Sequence, residues 1–160
     1  MPIIEVTLTA RAPIERVFDL SRSVEMHMAS TRQSNELAVG GVTNGLLELN
    51  DEVTWQATHL WVRQRLTSRI TAFDRPRYFR DSMVRGTFKR FDHDHYFTGV
   101  ESGTLLRDRF DFESPLGLLG HLADVLFLNR YIRRFLSARL HVVKSVAESD
   151  SWEQFLRGCG

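Results

Sequence analysis

Hydrophobic and polar side chains change their period twice along this chain. Residues 3–9, IIEVTLT, alternate and are rich in β-branched types, the pattern of a half-buried strand. Pro13 then stands where a first helical turn tolerates a missing N–H, and APIERVFDL sets Ile14, Val17, Phe18 and Leu20 on one side of a short helix. Ser21 is placed to cap a second short helix in SRSVEMHMASTR, which carries Val24, Met26 and Met28 and contains no breaker. From residue 35 to 113 the period is 2, interrupted at Gly40-Gly41, Asn44-Gly45, Asn50-Asp51, Arg75-Pro76, Gly86 and between Gly99 and Gly103, which predicts a meander of strands. In EVTWQATHLW one face carries Val53, Trp55, Ala57, His59 and Trp61; in QRLTSRITAF one face carries Leu66, Ser68, Ile70 and Ala72. After Pro115 a 3.6-residue period returns through Leu118, Leu122, Val125, Leu128, Ile132, Phe135, Val142 and Val146, predicting one long C-terminal helix. Trp152, Phe155 and Leu156 form a last turn in the tail, residues 149–160.

Strand, two short helices, antiparallel strands and a long helix describe an α+β layer in which one helix covers one sheet face. Local motifs coincide with that order in ARAPIERVFDL, LTSRITAFDRPRYFRDSMVRGTFKRFDHDHYF and GTLLRDRFDFESPLGLLGHLADVLFLNRYIRRFLSARL. Over about residues 2–147 the chain resembles the START-like superfamily, also called SRPBCC, which includes birch-pollen-allergen-like proteins, polyketide cyclases and lipid-transfer domains. The resemblance implies a helix-grip fold: a curved antiparallel sheet wrapped around a long C-terminal helix, as a single domain over residues 1–148 with a tail at 149–160. It also implies a cavity for a hydrophobic or amphipathic small molecule. Carriers, sensors and enzymes share this scaffold, and it has no universal catalytic motif, so function has to be argued from the site.

Composition narrows the picture. With 160 residues, 42% hydrophobic and 26% charged, the chain is of ordinary globular type. Lys+Arg 21 against Asp+Glu 20 leaves a net charge of +1, with no global field for nucleic acid. Arg130, Arg133 and Arg134 lie on one flank of the last helix, where arginines cover apolar stems and stay solvated. Cys159 is the sole cysteine and no run reaches the length of a spanning helix, so neither an intrachain disulfide nor stable membrane insertion is expected, and a cytoplasmic location is. The pattern does not predict an oligomeric state.

The chemistry concentrates in FDHDHYF, residues 91–97. Alternation puts Phe91, His93, His95 and Phe97 on one face and Asp92, Asp94 and Tyr96 on the other, so the aromatic and imidazole face is expected inward and the aspartates in water. A turn between Thr98 and Gly103 sets Leu106 and Asp108 opposite the histidines, followed by Phe110 and Phe112. A tight turn near Gly86-Thr87 would set Tyr78 and Arg80 across from the same pair. The expected ligand-binding set is therefore Trp55, His59, Trp61, Tyr78, Arg80, Phe91, His93, His95, Phe97, Asp108 and Phe110, with Phe88 and Phe112 adding to the aromatic wall.

Three readings of the histidines compete. His-x-His with Asp108 or His59 as third ligand suits zinc or copper, but His59 is two strands away and Arg80 would repel a cation, so no metal and no cofactor are expected. His93, His95 and Asp108 are candidate acid/base groups of a cyclase or dehydratase; no nucleophile elbow or phosphate loop accompanies them. Binding without chemistry is the leading expectation, with a carrier or sensor role. Gly117 and Gly120, and the loop AVGGVTNGLLELND, are candidate gates at the cavity mouth.

Overall fold

Residues 3–114 and 127–157 are described by the structure, a computed structural model. Seven strands form one antiparallel sheet: β1 (Ile3–Ala10), β2 (Leu37–Gly41), β3 (Glu52–His59), β4 (Val62–Asp74), β5 (Tyr78–Arg85), β6 (Arg90–Val100) and β7 (Gly103–Glu113). Their spatial order is β1-β7-β6-β5-β4-β3-β2, so every consecutive pair from β2 to β7 is a neighbour and β1 closes the far side on β7. Two short helices, α1 (Ile14–Ser21) and α2 (Val24–Ser30), follow β1, and α3 (Asn129–Ala147) packs on β1, α1 and α2. The fold is the α+β helix grip, with a curved sheet around the C-terminal helix.

Local sequence explains these elements. In β1 Ile4 and Ala10 are buried, Val6 and Leu8 lean on the core, and the odd positions face outward. Pro13 occupies the N-cap of α1, its carbonyl accepting from Val17 N at 3.2 Å. The expectation for Ser21 needs correction. α1 continues through Ser21, whose hydroxyl donates to the Val17 carbonyl at 2.8 Å, and Ser23 caps α2 by accepting from Met26 N at 3.2 Å. Along α3 the fully buried line is Ile132, Leu136, Leu140, Val143 and Ala147, with Val142 and Val146 half-buried beside it and Arg130, Arg133 and Arg134 exposed. The expectations for Leu118, Leu122, Val125, Gly117 and Gly120 lie outside the described residues.

Beside a smaller cluster of Val24, Val53 and Trp55, the core has two large ones. Phe18, Phe79 and Phe97 centre one cluster, against which Trp152, Phe155 and Leu156 of α4 (Trp152–Leu156) pack; Phe91, Phe110, Phe112 and Ile132 centre the other. The AVGGVTNGLLELND segment is tied down along much of its length. Residues 37–41 are the edge strand β2, and the Gly45 N–H is held by both oxygens of Glu25 at 3.0 and 3.1 Å.

Glycine is obligatory at Gly103, as it is at Gly41. Gly103 opens β7 at φ +135°, and a Cβ there would stand 2.1 Å from the Ala10 carbonyl oxygen and 2.9 Å from Arg11 Cα, both backbone atoms that cannot swing aside. Gly103→Ala is expected to cost about 2 kcal/mol, read as a lower urea midpoint at unchanged m-value.

Candidate functional site

The β6–β7 hairpin turns tightly, pairing Val100 with Gly103, and this fixes His93 opposite Phe110 and His95 opposite Asp108. On the other side β5 sets Asp81 opposite His93 and Phe79 opposite His95. Both imidazoles are buried and their ring centroids are 3.9 Å apart. Asp108, 2% exposed, lies behind the pair: its Oδ1 is 3.0 Å from His95 Nδ1 and its Oδ2 is 3.3 Å from His93 Nε2. The second contact is too poorly aligned for a hydrogen bond, and neither His93 Nε2 nor Asp108 Oδ2 has another partner among the described residues. Asp81 lies in front, its Oδ2 3.0 Å from His95 Nε2 and 3.8 Å from His93 Nδ1.

Two carboxylates therefore bracket one imidazole. Burial lowers the His95 pKa, but the negative charge of Asp108 and the hydrogen bonds to Asp108 and Asp81 outweigh it and leave the value raised. Burial likewise lowers the His93 pKa, and the charge on His95 adds to it. Burial raises both carboxyls, yet the charge of His95 and the contacts from both histidines hold Asp108 below the usual carboxylate range, and the His95 hydrogen bond with the histidine charges does the same for Asp81.

A second polar cluster stands at the β2–β3 end. Glu36, 9% exposed, meets His27 Nε2 at 2.5 Å and His59 Nε2 at 3.3 Å, while His59 Nδ1 is 2.8 Å from the Tyr131 hydroxyl on α3. His27 stacks on Trp55 with centroids 4.0 Å apart. Burial lowers the His27 pKa; burial raises Glu36, but His27 and His59 overcome this and hold it low. Between the clusters Arg139 projects from α3, 6% exposed, with Nη2 donating to the Ser21 carbonyl at 3.3 Å and Nε unpartnered among the described residues.

These groups border a cavity of about 390 Å³ between α3 and the inner sheet face. Its described walls are mainly apolar: Trp55, Ala57 and Leu66 from β3 and β4, Phe88, Phe91 and Phe110 from β6, β7 and the loop before β6, and Ile132, Phe135 and Leu136 from α3. Asp81, His93, Glu36, His27, His59, Tyr131 and Arg139 interrupt them.

The expected residues divide as follows. Trp55, His59, Phe91, His93 and Phe110 line the cavity. His95 and Asp108 lie behind that wall, and Phe97 faces the same way but belongs to the Phe18 core cluster. Four expectations are corrected, those for Trp61, Tyr78, Arg80 and Asp94. Trp61 is 99% exposed, because Leu60 and Trp61 are the two loop residues of the β3–β4 hairpin at φ +51° and +69°. Neither is the glycine or asparagine that advertises such a turn, so the alternation reads on past the true strand end.

Tyr78 and Arg80 lie on the outer face, paired with Tyr96 and Asp94, because the β5–β6 pairing is centred on Thr87 rather than between Gly86 and Thr87, which shifts the register by one. The same shift brings Asp81 inward. Asp94, expected in water, is fully covered: Tyr78 Oη donates to it at 2.6 Å, Arg80 Nε at 2.7 Å and Arg109 Nη1 at 3.3 Å. Besides Asp81, the sequence reading missed Glu36, His27, Tyr131 and Arg139. Arg139 carried a signal, since it falls seven residues after Ile132 on the buried stripe of α3, where an arginine is out of place unless it has a use.

Neither a protein-family model nor a curated protein matches the sequence. Solved structures do match the fold. Protein TTHA0849 from Thermus thermophilus aligns with a TM-score of 0.75 at 17% identity, over 90% of this chain and 95% of that one. Ginseng major latex-like protein 151 from Panax ginseng gives 0.68 at 13% identity over 91% and 97%. Ara h 8.0201 gives 0.57 at 14% identity over 89% and 97%. The likeness is one of helix-grip architecture across nearly the whole of each chain. No helix among the described residues is long and apolar enough to cross a membrane.

Proposed function

We propose that this protein binds an apolar or amphipathic small molecule in the cavity between α3 and the sheet, as a carrier or sensor. The observation that carries this reading is the cavity itself: about 390 Å³, with aromatic walls from three strands and a helix and a few polar groups converging from two sides. That size and lining suit a compact organic ligand. Trp55, Phe91 and Phe110 present ring faces and edges to a planar molecule, while Arg139, with most of its donors unused among the described residues, receives the ligand's hydrogen-bond-accepting end. The START-like resemblance supports the same use.

Ala57→Phe tests it. Ala57 is a wall residue 7% exposed, remote from the His–Asp cluster, and a phenyl group there takes up ligand space. Wild-type protein is expected to bind anilinonaphthalene sulfonate in competition with apolar ring compounds, and Ala57→Phe to bind it at least ten-fold more weakly with an unchanged melting temperature. Equal affinity in a normally folded variant, or no dye binding by the wild type, rejects the reading.

One observation favours a second reading, acid/base catalysis of the cyclase or dehydratase type: Asp81 and His93 both reach the cavity from an array that sets neighbouring pKa values apart. Retained dye binding with lost turnover of a bound substrate in His93→Gln would support it.

A further inference from the structure

The outward shift of Arg80 and the inward shift of Asp81 change what the histidine pair can do. Each imidazole has one nitrogen turned toward Asp108 and the other turned toward Asp81 Oδ2: His95 Nε2 at 3.0 Å and His93 Nδ1 at 3.8 Å. Asp81, His93 and His95 each offer one donor atom, all within 4.8 Å of one another. We propose that Asp81, His93 and His95 form a binding site for one divalent transition-metal ion of the zinc or iron(II) kind, with Asp108 as the brace behind both histidines and one side open to the cavity.

Three observations carry the proposal. The first is spacing. Metal bonds of about 2.0–2.1 Å at tetrahedral angles separate donors by about 3.3 Å, so the two contacts to Asp81 need to change by only about half an ångström, while the two histidine donors lie within 4.8 Å of each other. The second is the unpartnered histidine. His93 is 5% exposed, yet neither of its ring nitrogens makes a hydrogen bond among the described residues. A network kept only for stability would satisfy such a group, whereas a metal ligand needs a nitrogen free toward the ion, and here that is Nδ1, turned toward Asp81 at 3.8 Å with no hydrogen bond among the described residues. The third is Asp108, whose Oδ1 is hydrogen-bonded with the rear nitrogen of His95 at 3.0 Å, as carboxylates are that orient metal-bound histidines, and whose Oδ2 stands 3.3 Å from the rear nitrogen of His93, within reach once that ring turns toward an ion.

Charge agrees with the geometry. Asp81, Asp108 and Glu36 are carboxylates at or directly behind the described cavity wall, against one permanent cation there, Arg139. With both imidazoles neutral, as metal ligands must be, a divalent ion balances the remaining two negative charges, and nitrogen with carboxylate donors suits zinc or iron(II) over calcium. Asp81 and His93 line the cavity, as does Arg139, so a ligand oxygen could complete the coordination. The metal site does not depend on the apolar-ligand reading, because the donors are in place whatever enters the cavity.

The test is titration of chelator-treated, dye-free protein with Zn²⁺ by calorimetry and with Co²⁺ by visible absorption. One ion per chain with micromolar or tighter affinity is expected, and Co²⁺ bands of a low-coordinate site. Asp81→Asn and His95→Gln are each expected to weaken binding at least 30-fold, Asp108→Asn about ten-fold, and His141→Gln, at an exposed position on α3, not at all. X-ray absorption of zinc-loaded wild-type protein is expected to show two imidazoles in the coordination shell, a readout that needs no variant to fold. No saturable binding by the wild type, or binding that persists in folded Asp81→Asn and His95→Gln proteins, or a shell without two imidazoles, overturns the proposal. Dye binding in the same preparations is read separately, so the apolar-ligand reading and the metal site can fail independently.

Discussion

Phe18→Ala is expected to remove about 3–5 kcal/mol of stability, the full range for deleting a buried aromatic ring. Phe18 is fully buried in α1 and its ring meets Phe73, Phe79 and Phe97 at centroid distances of 5.5, 5.5 and 5.2 Å, all edge-to-face. The Arg22 guanidinium covers it from the side at 5.7 Å. Three directed ring contacts, each worth about 0.5–1.5 kcal/mol beyond area burial, are lost together with the transfer term. The partners cannot close the gap, since Phe79 and Phe97 are fixed on adjacent strands of one sheet and α1 is held by the short connection from β1. With total stability of order 5–15 kcal/mol, the loss is a large fraction of the whole. Urea unfolding followed by tryptophan fluorescence measures it as a lower midpoint at unchanged slope. A loss below about 1 kcal/mol would mean that this cluster does not hold α1 to the sheet.

Phe18 also illustrates what the sequence makes legible. Its place follows from the helical spacing of Ile14, Val17, Phe18 and Leu20 after the helix-opening Pro13, and no tertiary information is needed to see it. The pairing of His95 with Asp108 is nearly as direct, because period 2 in β6 and β7 fixes the faces and a two-residue turn between Val100 and Gly103 fixes the register. Legibility ends where a connection lacks its usual residues. The Leu60-Trp61 turn has none of the glycine or asparagine that left-handed backbone favours, so Trp61 reads as strand. Residues 86–89 allow a turn centred between Gly86 and Thr87 or on Thr87, and that half-residue decides whether Arg80 or Asp81 meets the histidines. Glu36 was invisible for a different reason. A lone glutamate between a helical turn and an edge strand is ordinary until the fold brings His27 from α2 and His59 from β3 to it.

The outer face of the same register yields the second large effect. Asp94→Ala is expected to cost about 3 kcal/mol, although Asp94 points away from the core. Its side chain is fully covered by its own partners: the Tyr78 hydroxyl, two nitrogens of Arg80 and one of Arg109. Burial raises the Asp94 carboxyl, but the hydrogen bonds from Arg80 and Tyr78, followed by the charge of Arg80 and the bond from Arg109, hold it below its ordinary value. Removing one member of a buried charged set typically costs about 3–5 kcal/mol. The lower end applies here because Arg80 and Arg109, 36% and 28% exposed, can turn to water once the carboxylate is gone. Arg80→Met should cost only about 1 kcal/mol, since Arg109 and Tyr78 still hold Asp94. Thermal melts of the two variants check the order. Because this set and the histidine pair occupy opposite faces of β5 and β6, both variants are expected to bind anilinonaphthalene sulfonate and Zn²⁺ as the wild type does. Weaker dye binding in a folded Arg80→Met protein would mean that Arg80 serves the cavity after all, and the register that places Asp81 there would have to be abandoned.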